Sequence, residues 1–449
     1  YYIVYDELGI KYVNLIKILV LEQALYVIFN PQVDFLLAAS VINYIKHIIK
    51  NRDYKKGEQP MRLIHLSDLH IGKRVNEFSM LEDQEYILKE ILGIIDDEQP
   101  DGIIIAGDVY DKSVPSEEAV KLLDSFLTSL AKRKLQVYII SGNHDSAAKL
   151  AFASSLINLS GIHISPVYDS AQIAMMGDGL VRPYKLEDGK GQLVNIYMLP
   201  FVKPATVRAV FPDEADGIKD YTDACRVAVE HMDVDEKTTN ILVAHQFVTG
   251  AVRSESEENV GGLDNVDVSV FDPFDYVALG HIHGPQKVGR ETVRYCGTPL
   301  KYSLSEANHT KSVTVVDIPE NKKIEIRTVP LVPMHELREV KGTFDELMDR
   351  RNYEGTAVDD YLYVVLTDED DVPDALGKLR TVYPNVMKLG YDNTRTRVTQ
   401  TIDDGAVLEG KKPIDLFGEL YEKQNNQEMS DEQRSFVQNI IDSIWKEAW

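Results

Sequence analysis

The sequence predicts an α/β fold, with sheets covered by helices, followed by a smaller α+β unit and terminal helices. Three observations predict it. Short, continuously apolar runs recur from Met61 onward, amphipathic stretches fill gaps between them, and several of the runs end in clusters of Gly, Asp, Asn and His. The expected strands are Arg62–Ser67, Gly102–Ala106, Gln136–Ser141, Asn195–Pro200, Asn240–Ala244 and Tyr276–Leu279. Apolar runs of this length, bounded by Gly and Asp, suit strands buried on both faces. Between them, Ala119, Leu122, Leu123, Phe126 and Leu130 form one helical stripe over Ser116–Lys134, and Pro115 followed by Ser116 is a helix start.

Beyond about Val340, Tyr361–Thr367 (YLYVVLT) reads as a strand. Asp371, Pro373 and Asp374 open a helix with negative charge where its dipole favours it, and a short strand follows near Val386–Gly390. In the last segment, Ser430 and Gln433 form a capping-box pair. There Phe436, Ile440, Ile441, Ile444 and Trp445 share an apolar face. Four regions are therefore expected: an N-terminal extension over 1–60, a main α/β domain over 61–340, a small α+β domain over 341–402, and a linker with two helices over 403–449.

Residues 1–60 are apolar and uneven. Their uncharged stretches, 23–33 and 35–45, are each too short to span a bilayer, and joining them centres Asp34, at a cost of about 2.5–3.5 kcal/mol. No basic start, apolar core and small-residue cleavage site follow one another there, so an extra helical segment, or an upstream stretch joined to a domain that starts at Met61, is expected rather than a membrane anchor. The two cysteines, Cys225 and Cys296, cannot build a disulfide framework, which favours a reducing compartment such as the cytoplasm. With 48 Lys+Arg against 72 Asp+Glu the net charge is −24, which taken alone argues against a phosphate-rich partner.

The strand ends argue otherwise. Ser67-Asp68-Leu69-His70 follows the first strand, Gly107-Asp108 the second and Gly142-Asn143-His144-Asp145 the third; His245 and Gly280-His281-Ile282-His283 close two later ones. Ligands of open α/β sheets bind beyond the carboxyl ends of strands, so these five tips can converge. Each motif alone has a plainer explanation. Asp108 after Gly fits turn chemistry, Asn143 a left-handed turn, and a single His245 a buried core histidine. The joint occurrence is what points to metal. Carboxylate, imidazole and amide together suit Mn, Fe or Zn better than Ca or Mg.

As an ordered set, D-x-H, G-D, G-N-H-[DE], H and G-H-x-H, the residues resemble the calcineurin-like metallophosphoesterase superfamily over most of 61–340. MRLIHLSDLHIGK, IIIAGDVYD, SGNHDS, YVALGHIH and YCGTPLKYSLSE are similar to its branch of bacterial SbcD-type nuclease subunits. The resemblance implies a sheet sandwich flanked by helices, a capping domain and partner-binding terminal helices. It implies one divalent ion held by Asp68, His70, Asp108 and His283, and a second by Asp108, Asn143, His245 and His281, most simply Mn2+. It further implies DNA as substrate, an SbcC-type SMC-like ATPase as partner, and a homodimer within a heterotetramer.

By the same resemblance His144 acts on the phosphate or leaving oxygen; its pairing with Asp145 to rigidify the loop is the structural alternative. Asp145 is expected behind the ligands rather than among the reacting groups. Some archaeal and eukaryotic relatives carry a second catalytic histidine where this chain has Asp111, so that role is not carried over. Lys73, Arg74, Lys149, Arg182 and Arg253 are possible phosphate contacts and equally ordinary surface charges. His47, His65, His163, His231, His309 and His335 are read as structural or solvated, and Cys296 as a small buried hydrophobe. A phosphatase or cyclic-nucleotide phosphodiesterase on the same scaffold remains an alternative, weakened by Lys112 after Asp111 where protein phosphatases have Arg-Gly. A non-catalytic DNA-end scaffold is another.

Overall fold

The computed structural model describes residues 60–165, 167–170, 180–254, 257, 264–394, 396, 414, 417, 418, 421 and 429–446. The expectations for residues 1–59, for the linker at 403–412 and for most of the first terminal helix lie outside these.

Two six-stranded sheets face each other. The first runs Glu325–Pro330, Ser312–Ile318, Met61–Leu66, Gly102–Ala106, Gln136–Ile140, Ile162–Ile164. Its last four strands are parallel, and Met61–Leu66 meets Ser312–Ile318 antiparallel. The second runs Gln286–Val288, Arg290–Tyr295, Tyr276–Gly280, Thr239–His245, Leu193–Leu199, Tyr184–Glu187, parallel inside and antiparallel at both edges. Alternation along each strand divides its side chains between two cores. Met61, Leu63, Ile104, Ala106, Tyr138 and Ile140 point between the sheets and meet Ile196, Met198, Ile241, Val243, Tyr276 and Ala278. Ile64, Leu66, Ile103, Ile105, Val137 and Ile139 point outward against the helices Leu81–Glu98 and Glu117–Lys132. The second sheet's outer face packs on Pro204–Val210 and Tyr221–Glu230.

All six expected strands form, each within two residues of the expected ends. Ser116 caps its helix as expected, its side chain accepting the Ala119 N–H at 3.3 Å. The hairpin of Ser312–Ile318 and Glu325–Pro330 was not foreseen. Cys296 is buried, its thiol donating to the His65 carbonyl at 2.9 Å, as a small core residue would.

The third sheet, Leu337–Gly342, Tyr361–Leu366 and Val386–Tyr391, is parallel, so the division expected at 340/341 falls within its first strand. Its core is Leu347, Leu362, Val364, Leu366, Leu379 and Val386. The helix beside it opens one residue later than expected, at Ala375, because Asp374 takes a left-handed φ of 51° and makes no side-chain cap. Asp83 joins this unit to the main one. Its carboxylate is buried and accepts His335 Nδ1 at 3.0 Å and the Tyr361 hydroxyl at 2.7 Å. Asp83→Ala strands that buried hydroxyl and is expected to cost about 1–3 kcal/mol, read by thermal denaturation. Asp83→Asn, which can still accept one bond, should cost less.

The helix Asp431–Lys446 begins as expected. Ser430 N donates to Gln433 Oε1 at 2.9 Å and Gln433 N to Ser430 Oγ at 3.2 Å, the reciprocal pair of a capping box. Among the described residues, no helix is long and apolar enough to cross a membrane.

Candidate metal centre

The carboxyl ends of five parallel strands, three from the first sheet and two from the second, meet at one edge of the sandwich. They can approach closely because the motif glycines carry no side chain. A Cβ on Gly280 would overlap the Ala106 carbonyl oxygen, and one on Gly142 would overlap Asp108. Main chain therefore packs on main chain at the site. Four residues with side chains also hold left-handed backbone there: Asp68 (φ 51°), His70 (43°), Asp108 (47°) and His281 (100°). Such strain persists only where the surroundings over-determine it, and it concentrates at functional sites. Here the surroundings are main-chain bonds between neighbouring tips, Asp68 N to Gly107 O at 3.0 Å and His70 N to Asp108 O at 2.9 Å.

All seven expected ligand side chains come together. Atoms of Asp68, His70 and His283 lie within 4.8 Å of one another, as do those of Asp68, Asp108 and His245. Asp108 Oδ2 is 3.6 Å from His70 Nε2 and 3.3 Å from His245 Nε2, which places it between the two groups. Asn143 Oδ1 lies 3.0 Å from His245 Nε2 and 2.9 Å from His281 Nδ1. Asp68 accepts the His281 N–H at 3.0 Å, joining the first and last motifs.

Several of these groups are oriented from behind. His245 Nδ1 lies 2.8 Å from the Ala106 carbonyl, which as an acceptor keeps a proton on Nδ1 and turns Nε2 toward Asp108 and Asn143, the atom that would face a metal. Asp145 accepts the N–H groups of Val109 (3.0 Å), Tyr110 (2.9 Å) and Gly142 (2.9 Å), binding the Asp108 loop to the Asn143 loop. His144 N donates to Asp108 Oδ1 at 2.9 Å, its Nδ1 is 3.0 Å from the Asp111 carbonyl, and its ring stands edge-on to His70 with centroids 4.9 Å apart. Gln84 donates to the His70 carbonyl at 2.8 Å and accepts the Gly72 N–H at 2.9 Å, holding the Asp-x-His loop.

Charge is tuned by burial and by neighbours. Burial pushes the Asp68 carboxyl up to about 6 and the His281 imidazole down to about 3, and it holds His70 well below the usual histidine value. For Asp108 burial also pushes upward, but His245, which Asp108 and Asp68 raise to about 9 against its own burial, outweighs it and keeps the carboxylate ionised. The donor set therefore joins an anionic Asp108 to neutral His70 and His281.

The residues fit a metal on one further observation. Both ring nitrogens of His70 and Nε2 of His281 are buried without a hydrogen-bond partner. Unpaired buried polar atoms cost about 1–3 kcal/mol each and call for an explanation. Ligation of a cation supplies one.

Some functional groups were missed in the sequence. Gln84, Lys311 and Glu257, whose carboxylate accepts the His283 N–H, are isolated polar residues outside the motifs, Glu306 ends the YCGTPLKYSLSE run without a signal of its own, and Asp111 was noted only as a departure. The expected phosphate contacts, by contrast, are engaged within the chain. Lys73 pairs with Asp111 at 2.8 Å, Lys149 donates to the Ser113 carbonyl at 3.0 Å, Arg74 to that of Glu77, and Arg182 pairs with Asp233. Arg253 pairs with Asp264 at 2.5 Å and lies over the Phe247 ring, 3.6 Å from its centroid.

Comparison with known proteins agrees with this geometry. Residues 61–285 match the calcineurin-like phosphoesterase family, and residues 333–425 match the family described as type 5 capsule protein repressor C-terminal domain, or SbcD_C. The SbcD subunit of the nuclease SbcCD from Staphylococcus epidermidis is 31% identical over 394 residues, covering 86% of this chain and 99% of that protein. Its counterpart from Staphylococcus saprophyticus is 32% identical over 335 residues, covering 73% of this chain and 84% of that protein. With the motif order, the site geometry and these matches in agreement, the chain belongs to the SbcD family of nuclease subunits within the calcineurin-like phosphoesterases, and is a metal-dependent phosphodiesterase.

Proposed function

We propose that the chain is the Mn2+-dependent nuclease subunit of an SbcCD-type complex, cutting DNA as a double-strand exonuclease and a single-strand or hairpin endonuclease. The observation that carries this reading is the convergence of seven side chains able to ligate metal, among them His70, whose ring nitrogens are buried without a hydrogen bond. Asp68, His70, Asp108 and His283 would hold one ion and Asp108, Asn143, His245 and His281 the other, with Asp108 shared. When bound, two divalent ions supply positive charge to the phosphodiester and acidify a water for attack on phosphorus.

The chain's own residues do the rest. Asp68 and Asp108 return only two negative charges against the four of two divalent ions, and Asn143 and the histidines add none, so the site attracts phosphate within an acidic protein. His144, held at Nδ1 by the Asp111 carbonyl, offers its other nitrogen to the phosphate or the leaving oxygen. Imidazole, carboxylate and amide donors favour Mn2+ over Mg2+. The test is cleavage of blunt, hairpin and single-stranded DNA in Mn2+ and in Mg2+, with and without the ATPase. Activity in Mn2+ well above that in Mg2+ is expected; no cleavage of any DNA under any of these conditions would sink the proposal.

Partners follow from surfaces. On the helix Asp431–Lys446, Phe436 and Ile440 are exposed one turn apart, which suits docking on the coiled coil of an SMC-like ATPase. Deleting residues 413–449 is expected to abolish co-purification with the ATPase while sparing Mn2+-dependent cleavage of short substrates; unchanged co-purification counts against the assignment. Phe152, Leu156 and Leu159 are 80%, 71% and 86% exposed just beyond the His144 loop, and support a homodimer within a heterotetramer. Buried free thiols at Cys225 and Cys296 suit a cytoplasmic location.

A further inference from the structure

Beneath His283 lies a buried ionic network that the proposed chemistry does not use. Glu306 is fully buried and Lys311 nearly so. Glu306 Oε1 lies 3.3 Å from His283 Nδ1 and accepts the Ser303 hydroxyl at 2.9 Å; its Oε2 is 2.6 Å from Lys311 Nζ. The same ammonium donates to the His283 carbonyl at 2.9 Å and to Thr298 Oγ1 at 2.6 Å. Thr298 N donates to that carbonyl as well, at 3.2 Å. The residues 298–311 thus grip the ring and the peptide carbonyl of His283, while Glu257 accepts the His283 N–H and stands farther from Nδ1, at 3.8 Å against the 3.3 Å of Glu306.

Stability does not explain this arrangement. Desolvating two charges costs several kcal/mol, and well-packed apolar residues in place of a buried ion pair are commonly as stable or more so. Orientation does explain it. A carboxylate on Nδ1 keeps the proton there, fixes the ring plane, and makes the opposite nitrogen the basic one. Lys311 holds that carboxylate in place and balances its charge, so the pair orients the ring without adding net charge to the site.

We propose that Glu306, held by Lys311, is a positioning residue that sets the tautomer and ring orientation of His283 for metal binding. The inference rests on the two-ion reading above. It assigns residues 303–311 to the site, although none of their side chains is expected to touch metal or substrate.

The test compares two charge-neutral double variants of the full chain by Mn2+ titration, following the signal of free Mn2+ by electron paramagnetic resonance. Glu306→Leu with Lys311→Met removes the hydrogen bond to Nδ1; Glu306→Gln with Lys311→Met keeps an acceptor there. The leucine variant is expected to melt close to the parent in chelator yet bind one of its two ions about 10–100-fold more weakly. The glutamine variant should recover most of that loss. Should the leucine variant fail to fold, Ser303→Ala, which removes one bond to Glu306 Oε1, is expected to weaken the same ion by about 2–10-fold. Parent-like affinity in the leucine variant, or in Ser303→Ala where that variant does not fold, overturns the proposal, as does an equal loss in both double variants. A parent chain that takes up no Mn2+ overturns the two-ion reading along with it.

Discussion

Replacing His144 with alanine is expected to lower DNA cleavage in saturating Mn2+ by about 10²–10⁴-fold, the usual size of a lost general acid or stabilising imidazole. Mn2+ uptake should stay near that of the parent. The reason is geometric. Asp108 Oδ1 takes the main-chain N–H of His144, which alanine retains, and Asp145 still ties the Asn143 loop to the Asp108 loop through three N–H bonds. Single-turnover cleavage paired with Mn2+ titration reads both quantities. Retained metal and DNA binding with lost cleavage separates an enzyme from a scaffold that only bridges DNA ends. Parental cleavage would move the proton transfer to another group, and lost metal would move His144 into the ligand set.

The second large effect is expected at Gly280. An alanine Cβ there overlaps the Ala106 carbonyl and stands 2.8 Å from His245 Nδ1, the atom that this carbonyl holds. Neither main-chain strand can step aside, because Gly102–Ala106 is paired on both edges and Tyr276–Gly280 lies between Thr239–His245 and Arg290–Tyr295. Gly280→Ala should therefore cost about 3 kcal/mol or more, in the range of severe overpacking. It should also displace His281 and His283, so that Mn2+ uptake falls together with the melting temperature. Gly93 is the control. It lies in the helix Leu81–Glu98 with open space around its Cα, and Gly93→Ala should stabilise by about 0.5–1 kcal/mol. Equal melting temperatures for the two variants would contradict the close strand-tip packing.

The strands and their chemistry were legible for one shared reason. A strand buried on both faces must be apolar throughout, so Gly102–Ala106 and Tyr276–Gly280 announce themselves, and the first polar residues after them are those released at the sheet edge. The glycines of the motifs were legible as turns, whereas their more consequential role, letting the Ala106 and Gly280 main chains touch, needs three dimensions. Supporting residues were hidden for the opposite reason. Glu306 and Lys311 have the composition of a solvated surface, and only the path of the chain from Thr298 back under His283 buries them. Glu306 closes the run YCGTPLKYSLSE, whose likeness to the family carries no role for any residue in it, and Lys311 lies five residues beyond that run. Pairing across some 250 residues was equally invisible: Met61–Leu66 meets Ser312–Ile318 antiparallel, and local pattern does not encode such a partner.

The engagement of the basic side chains with partners inside the chain has a thermodynamic consequence for DNA. Each phosphate neutralised by a lysine or arginine releases condensed counterions, and affinity then falls with salt at a logarithmic slope of about −0.9 per contact. Lys73, Lys149, Arg182 and Arg253 already have Asp111, Ser113, Asp233 and Asp264 as partners. Contacts made only by the metal cleft would be few, so monovalent salt should depress cleavage by the isolated chain on a shallow slope. A steep slope in the assembled complex would then belong to the ATPase, and the difference between the two slopes would count the phosphates that the ATPase holds.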